Sequence, residues 1–176
     1  RYNAMKEFDK ALEYCNKSLA LFKEINNPTG IATLLLNIGE ALSNKKEDKA
    51  ALPYFEQSWS VWKEVDSKHD IAQTLISIAN TQIILGKLTE AKTNMDTAFK
   101  YCREVHAIDL ECEAWARQSN LLKKQGKGLE ALDAYTKYIV LRDSLTNLDK
   151  QKELARKDMK FEYDKSETIL KSEKEK

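Results

Sequence analysis

The sequence predicts an all-α protein: a solenoid of stacked helical hairpins that ends in an extended helix. Three observations carry that expectation. Glycine and proline are scarce, 5 Gly and 2 Pro in 176 residues, which leaves little turn-forming material and favours helices joined by short connections. Apolar residues recur at three- and four-residue spacing, the period of an α-helix that buries one face. The whole pattern then returns about every 40 residues, the mark of a repeat architecture.

The clearest element is the stretch from Ile71 to Val105. Leu75, Ile78, Ala79 and Gln82 share one helix face. A break follows at Gly86-Lys87, and Ala91, Met95, Ala98, Phe99 and Cys102 share the face of a second helix. A lone hairpin of this size cannot bury both faces, so it needs neighbours of the same kind. They are present in register. Ala91 has counterparts at Ala11, Ala51 and Ala131, and Met95 at Cys15, Phe55 and Tyr135. Ala98 corresponds to Ser18, Ser58 and Tyr138. In the first helices, Leu35, Leu75 and Trp115 match, followed by Ile38, Ile78 and Gln118, then Gly39, Ala79 and Ser119. Small residues line up with small ones because two helices cross there, and a large side chain would overpack the contact.

This arrangement resembles the tetratricopeptide repeat (TPR): bulky and small residues at fixed spacing in the first helix, then an alanine followed four positions on by a larger residue. The resemblance covers roughly residues 1–145, with repeats at about 1–27, 28–67, 68–107 and 108–145. It implies a right-handed superhelix whose first helices line the concave side and whose second helices form the convex side. The period of 40 exceeds the usual 34, so longer helices are expected. The proline that often ends the second helix is missing, and Gln82 and Gln118 stand where apolar residues are usual.

In chain order, Arg1 to Met5 reads as the tail of a first helix whose beginning lies outside the sequence, and Glu7 to Ile25 as the second helix of that repeat, with Phe8, Ala11, Cys15, Leu19 and Phe22 on its face. Asn27 can cap the next helix, with Pro28 at its first position. Ile31 to Asn44 and Asp48 to Val65 form the second hairpin. Pro53 predicts a late or kinked start for the latter helix, because proline is tolerated only where backbone N–H groups lack partners. Trp59 and Trp62 are expected in core or inter-repeat packing. Leu110 to Lys124 and Leu129 to Ser144 form the fourth repeat, turning at Gly126-Lys127-Gly128.

A net charge of +1 and a pI near 7.8 give no basic excess for nucleic acid or an anionic membrane. No run of 18 apolar residues occurs, and no signal peptide is visible. Cys15, Cys102 and Cys112 lack metal or redox spacing and fit buried thiols, with a Cys102–Cys112 contact or a reactive thiol as alternatives. His69 and His106 lie in turns without companion ligands. No phosphate loop or catalytic constellation stands out. The chain is expected to be no enzyme and to hold no cofactor or metal.

From Thr146 onward the character changes: 17 of the last 31 residues are charged. Thr146, with an acid three residues on, reads as a helix cap. Leu148, Ala155, Met159, Tyr163 and Leu170 form a narrow stripe, which fits either a helix covering the last repeat or the start of a coiled coil. Residues 146–176 are thus expected as a charged helix, a cap or a linker that could self-associate. The end of the sequence resembles the junction after the repeat region in a group of bacterial membrane signalling proteins common in Bacteroidetes. The shared features are Tyr135, Tyr138, Asp143-Ser144-Leu145, Asn147 to Lys150 and Glu162-Tyr163. That resemblance implies a periplasmic sensor region and, beyond residue 176, a membrane segment and a histidine kinase or DNA-binding regulator output. The alternative is a soluble, cytoplasmic TPR adaptor or peptide-pheromone receptor.

Either reading calls for a protein or peptide partner on the concave face. The repeat register places Leu36, Ile76 and Ala116 in one inner row, Glu40, Asn80 and Asn120 in the next, and Ser43, Ile83 and Lys123 in a third. The expected binding surface is Leu36, Glu40, Gln73, Ile76, Asn80, Ile83, Arg117 and Asn120, with the isoleucines exposed as an apolar stripe beside the asparagines. The clamp of chaperone-binding repeats for acidic peptide ends is absent. Leu36, Glu40, Ser77, Glu113 and Arg117 stand at those positions, and Arg117 alone suits an anion.

Overall fold

The computed structural model describes the backbone of residues 2–174 and the side chains of residues 10, 12–153, 156, 157, 159 and 160. The side chains of Phe8, Ala11, Ala155, Glu162, Tyr163 and Leu170 lie outside the described residues. The elements are α1 (Tyr2–Glu24), α2 (Pro28–Asn44), α3 (Asp48–Val65), α4 (Lys68–Ile84), α5 (Leu88–Glu104), α6 (Ile108–Lys124) and α7 (Gly128–Lys174). Each packs antiparallel on the next, and no strand occurs among the described residues.

The spacing is tighter than a 40-residue repeat requires. From α2 onward a helix begins every 20 residues, at 28, 48, 68, 88, 108 and 128. The turns explain this. Asn26, Lys46, Asp66, Gly86, His106 and Gly126 all adopt positive φ, between 50° and 79°. The amide after each left-handed residue donates to the carbonyl five residues back, at 2.9–3.2 Å, from Asn27 to Phe22 through Lys127 to Leu122. The same residue's carbonyl then accepts the first bond of the following helix, as Asn27 does from Ile31 and Lys87 from Ala91. This is the Schellman closure joined directly to the next N-cap. Turns within a repeat and between repeats are therefore built alike. Asn27 caps α2 as expected, its Oδ1 accepting from the Gly30 amide at 2.9 Å with Pro28 at the helix start.

Three expectations about element ends need correction. α1 runs unbroken from Tyr2, with no turn between residues 5 and 7. The next step of 20 would put a left-handed residue at Lys6, but Ala4, Met5, Lys6 and Glu7 are all good helix formers. Helix α7 runs 47 residues without a stop at 145. Thr146 is no cap: its hydroxyl donates back to the Arg142 carbonyl at 2.9 Å, inside the helix. Helix α3 begins at Asp48 and carries Pro53 in its interior. The carbonyl left without a donor belongs to Lys49, an exposed position that water can serve. The chain divides into two compact units, residues 1–138 and 139–176.

The small-residue columns sit where the register placed them. Ala51, Ala91 and Ala131 are buried, as are Ala79 and Gly39. A Cβ on Gly39 would lie 2.5 Å from the Phe55 ring. Hydroxyls enter these contacts where they find a facing carbonyl: Ser58 donates to Ala32 and Ser119 to Ala131, both at 2.8 Å. Gln82, unusual for its position, is buried and accepts from the Asn94 amide at 2.9 Å. Trp62 is in the core, and Trp59 is half-buried under the Lys63 ammonium, 3.6 Å from its ring centre. Trp115 packs against Phe99 with ring centres 4.5 Å apart and the rings tilted by 50°, and it joins the main core to the smaller cluster of Leu122, Ala131 and Ala134. Cys102 and Cys112 are buried as expected, whereas Cys15 is only half-buried, and burial pushes the Cys102 thiol up to about 11.

Two variants test this account. His106→Gly relieves a side chain held at φ 55° and is expected to stabilise the fold by about 0.5–1 kcal/mol net of glycine's extra unfolded-state entropy, raising the melting temperature by about 2 °C. Gly39→Ala is expected to cost about 1–3 kcal/mol by overpacking the Phe55 ring, although alanine is the better helix former. A lower melting temperature for His106→Gly, or a higher one for Gly39→Ala, would contradict the respective contacts.

Candidate functional site

Helices α2, α4 and α6 form the inner row of the unit spanning residues 1–138. Helix α2 touches α4 and α4 touches α6, whereas α3 touches neither α1 nor α5 among the described residues. Helices that meet their second neighbours lie on the short side of a bend, so the unit curves with α2, α4 and α6 inside. Lys124 on α6 reinforces the row, its ammonium donating to the Ile83 carbonyl in the last turn of α4 at 2.9 Å.

A cavity of about 190 Å³ crosses this row. Helix α2 contributes Glu40, Ser43 and Asn44, and α4 contributes Ser77, Asn80 and Thr81. Glu113 and Arg117 line it from α6, and Phe55 from α3 is its one apolar lining residue. Local spacing explains the convergence: Glu40 and Asn44 are one turn apart, as are Ser77 and Thr81, and Glu113 and Arg117. Each pair faces the bend from its own helix.

Several of these groups are already engaged. The Arg117 guanidinium donates through Nη2 to Glu113 Oε1 at 3.0 Å. Arg117 Nε is buried without a partner. Ser43 donates to the buried Asp48 carboxylate at 2.7 Å, and the Thr81 hydroxyl to the Ser77 carbonyl at 2.9 Å. Glu40 has no ion-pair partner among the described residues. Partial desolvation at the cavity edge, and then the Glu113 carboxylate, push its carboxyl above the ordinary range, although the side chain keeps solvent contact. Counting Glu40, Glu113 and Arg117, the cavity carries a net charge of −1 when all three are ionised.

Of the expected binding surface, the structure brings Glu40, Asn80 and Arg117 together at this cavity. Leu36, Ile76 and Ile83 are not an exposed stripe; they are buried in the core, 6%, 2% and 0% exposed. The reason is the double neighbourhood of an inner helix. Helix α4 meets α2, α3, α5 and α6, so its buried arc is much wider than one amphipathic stripe. Gln73 is half-buried and Asn120 exposed, and neither lines the cavity. Ser43, Ser77 and Glu113 were legible as inner positions but not as one site, and Asn44, Phe55 and Thr81 were missed. The one-turn step from Glu40 to Asn44 was the available signal for Asn44. Phe55 is a packing residue by its register and also lines the cavity.

The comparisons agree with this architecture. Residues 2–64 match the tetratricopeptide repeat family model. A comparison with the curated proteins finds no match. Among solved structures, the chain is similar to BtubC (BKLC) from P. vanneervenii, with 15% identity and a TM-score of 0.68 over 80% of this chain and 59% of that one. It is also similar to the apo form of RapI, with 16% identity and a TM-score of 0.55 over 80% of this chain and 64% of that one. The chain thus spans less than two thirds of either structure. The fold is a TPR-like solenoid of helical hairpins.

The position of Glu40 gives a pH prediction. The folded state holds the Glu40 proton more tightly than the unfolded chain does. The contribution is therefore fully present below the ordinary carboxylate pKa and is lost as pH rises through the raised one. In melts from pH 4 to pH 7, Glu40→Gln is expected to gain melting temperature relative to the parent as pH increases. A difference that stays flat with pH would remove the strain assigned to this carboxylate.

Proposed function

We propose that the chain is a non-catalytic, protein-binding repeat scaffold that receives a segment of its partner along α2, α4 and α6. The observation that carries this reading is the polar cavity crossing all three inner helices, with Glu40, Ser77 and Asn80 presenting groups to it. The apolar inner-row side chains Leu36, Ile76 and Ile83 are packed away, while the polar groups of three helices converge on this cavity. Main-chain amides and polar side chains of an extended or helical segment are the natural complement.

The finer reading is a sensor region within a larger bacterial signalling protein, with residues 1–145 as the binding part and 146–176 as the link to an output. Its support is the junction resemblance; the acidic capped turn that this resemblance implies at Asn147 to Lys150 is replaced by continuous helix, since α7 runs unbroken through it. A periplasmic location and self-association through that helix belong to the same reading. No helix among the described residues is long and apolar enough to cross a membrane; the sensor reading places its membrane segment after residue 176.

The test is to select binding peptides from a displayed random library and map the bound state by hydrogen exchange. Protection is expected in residues 40–44, 77–81 and 113–117. Protection confined to the outer helices α3 and α5 would reject the inner-row reading.

A further inference from the structure

We propose that the cavity between α2, α4 and α6 seats one basic side chain, a lysine or arginine, of the partner segment. This deepens the scaffold reading and rests on it. The size points to a single side chain: about 190 Å³ falls short of the roughly 300–1,000 Å³ of small-molecule pockets.

The charge arrangement points to a cation. Arg117 is the basic group of the cavity, and it is tied to Glu113 on its own helix at 3.0 Å. Its charge therefore offsets a carboxylate already present and does not create an anion site. Glu40 is the remaining ionisable group and has no counter-ion among the described residues. An ammonium or guanidinium beside it would offset by attraction both the cost of desolvation and the repulsion from Glu113.

The uncharged lining fits the same guest. Asn80 and Asn44 offer amide oxygens and Ser77 a hydroxyl, acceptors for the several N–H groups of a lysine or arginine head. Phe55, which also lines the cavity, gives the methylene stem an apolar contact. An acidic guest meets the opposite situation: it faces two carboxylates and one arginine whose Nη2 already serves Glu113, and it could gain the unpartnered Nε of Arg117.

The test is an NMR titration of the isotope-labelled chain with N-acetyl-lysine methylamide and N-acetyl-arginine methylamide as probes. The norleucine analogue is the neutral control, and cadaverine and magnesium chloride are separate arms. The basic probes are expected to shift the amide signals of Asn44, Ser77 and Asn80, and norleucine is not. Glu40→Gln, a substitution at a solvent-contacting position, is expected to weaken the basic probes about tenfold, the loss of one charge-assisted contact. Arg117→Gln is expected to tighten them, because it leaves Glu113 unneutralised; an anion-binding cavity would respond in the opposite sense.

Equal shifts with norleucine, no change in Glu40→Gln, or weakening in Arg117→Gln would overturn the proposal. So would magnesium binding here more tightly than the basic probes, which would make the cavity a metal site, or cadaverine binding here more tightly than either capped amino acid, which would make it a free-amine site. The two readings fail separately. If library-selected peptides protect the inner helices but show no preference for a basic residue, the scaffold stands and the basic-side-chain seat falls.

Discussion

The structure depends on one backbone event: a single left-handed residue that stops a helix and hands its next carbonyl to the following one. Six such turns recur at a step of 20. Because each linker is the same, successive helices leave the turn at the same angle and start in the same rotational phase. Phase is what lets Gly39, Ala79 and Ser119 fall at equivalent crossings, and Ala51, Ala91 and Ala131 at theirs. Four of the six left-handed positions are not glycine. The chain tolerates that local cost of about 1–2 kcal/mol each because the Schellman bonds and the packed helices on either side leave no alternative path.

The repeat was legible because it rests on size. Small residues every 40 positions can be read from the string, and Ala91, Met95 and Ala98 are all fully buried as that reading required. The halving of the period was not legible. It is written in backbone dihedrals, and Lys46 and His106 carry no turn signature to match Gly86 and Gly126. The two long helices were misjudged for a related reason. Thr146 has the side chain of a cap, but a threonine can equally bond back into its own helix, and context decides.

The candidate site was half legible. Glu40, Asn80 and Arg117 were placed on the inner face by register alone. Leu36, Ile76 and Ile83 were misplaced because a single-helix pattern cannot show that an inner helix is flanked on both sides as well as behind. What the string suggested was a mixed apolar and polar groove. What the packing leaves is a small polar cavity that one aromatic residue also lines, so the chemistry proposed for it shifts from hydrophobic docking to recognition of charge.

The uniform linker also has a consequence for how such a chain can vary. A helix turns about 100° per residue, so losing one residue from the middle of a helix would rotate every downstream face away from its neighbour. Losing 40, from one turn to the equivalent turn, would restore every face to its place. The array thus works like a gear train, tolerant of whole teeth added or removed and intolerant of fractions. Lineages carrying such chains would be expected to differ by duplicated or deleted hairpins, with the lengths of the individual helices held nearly fixed.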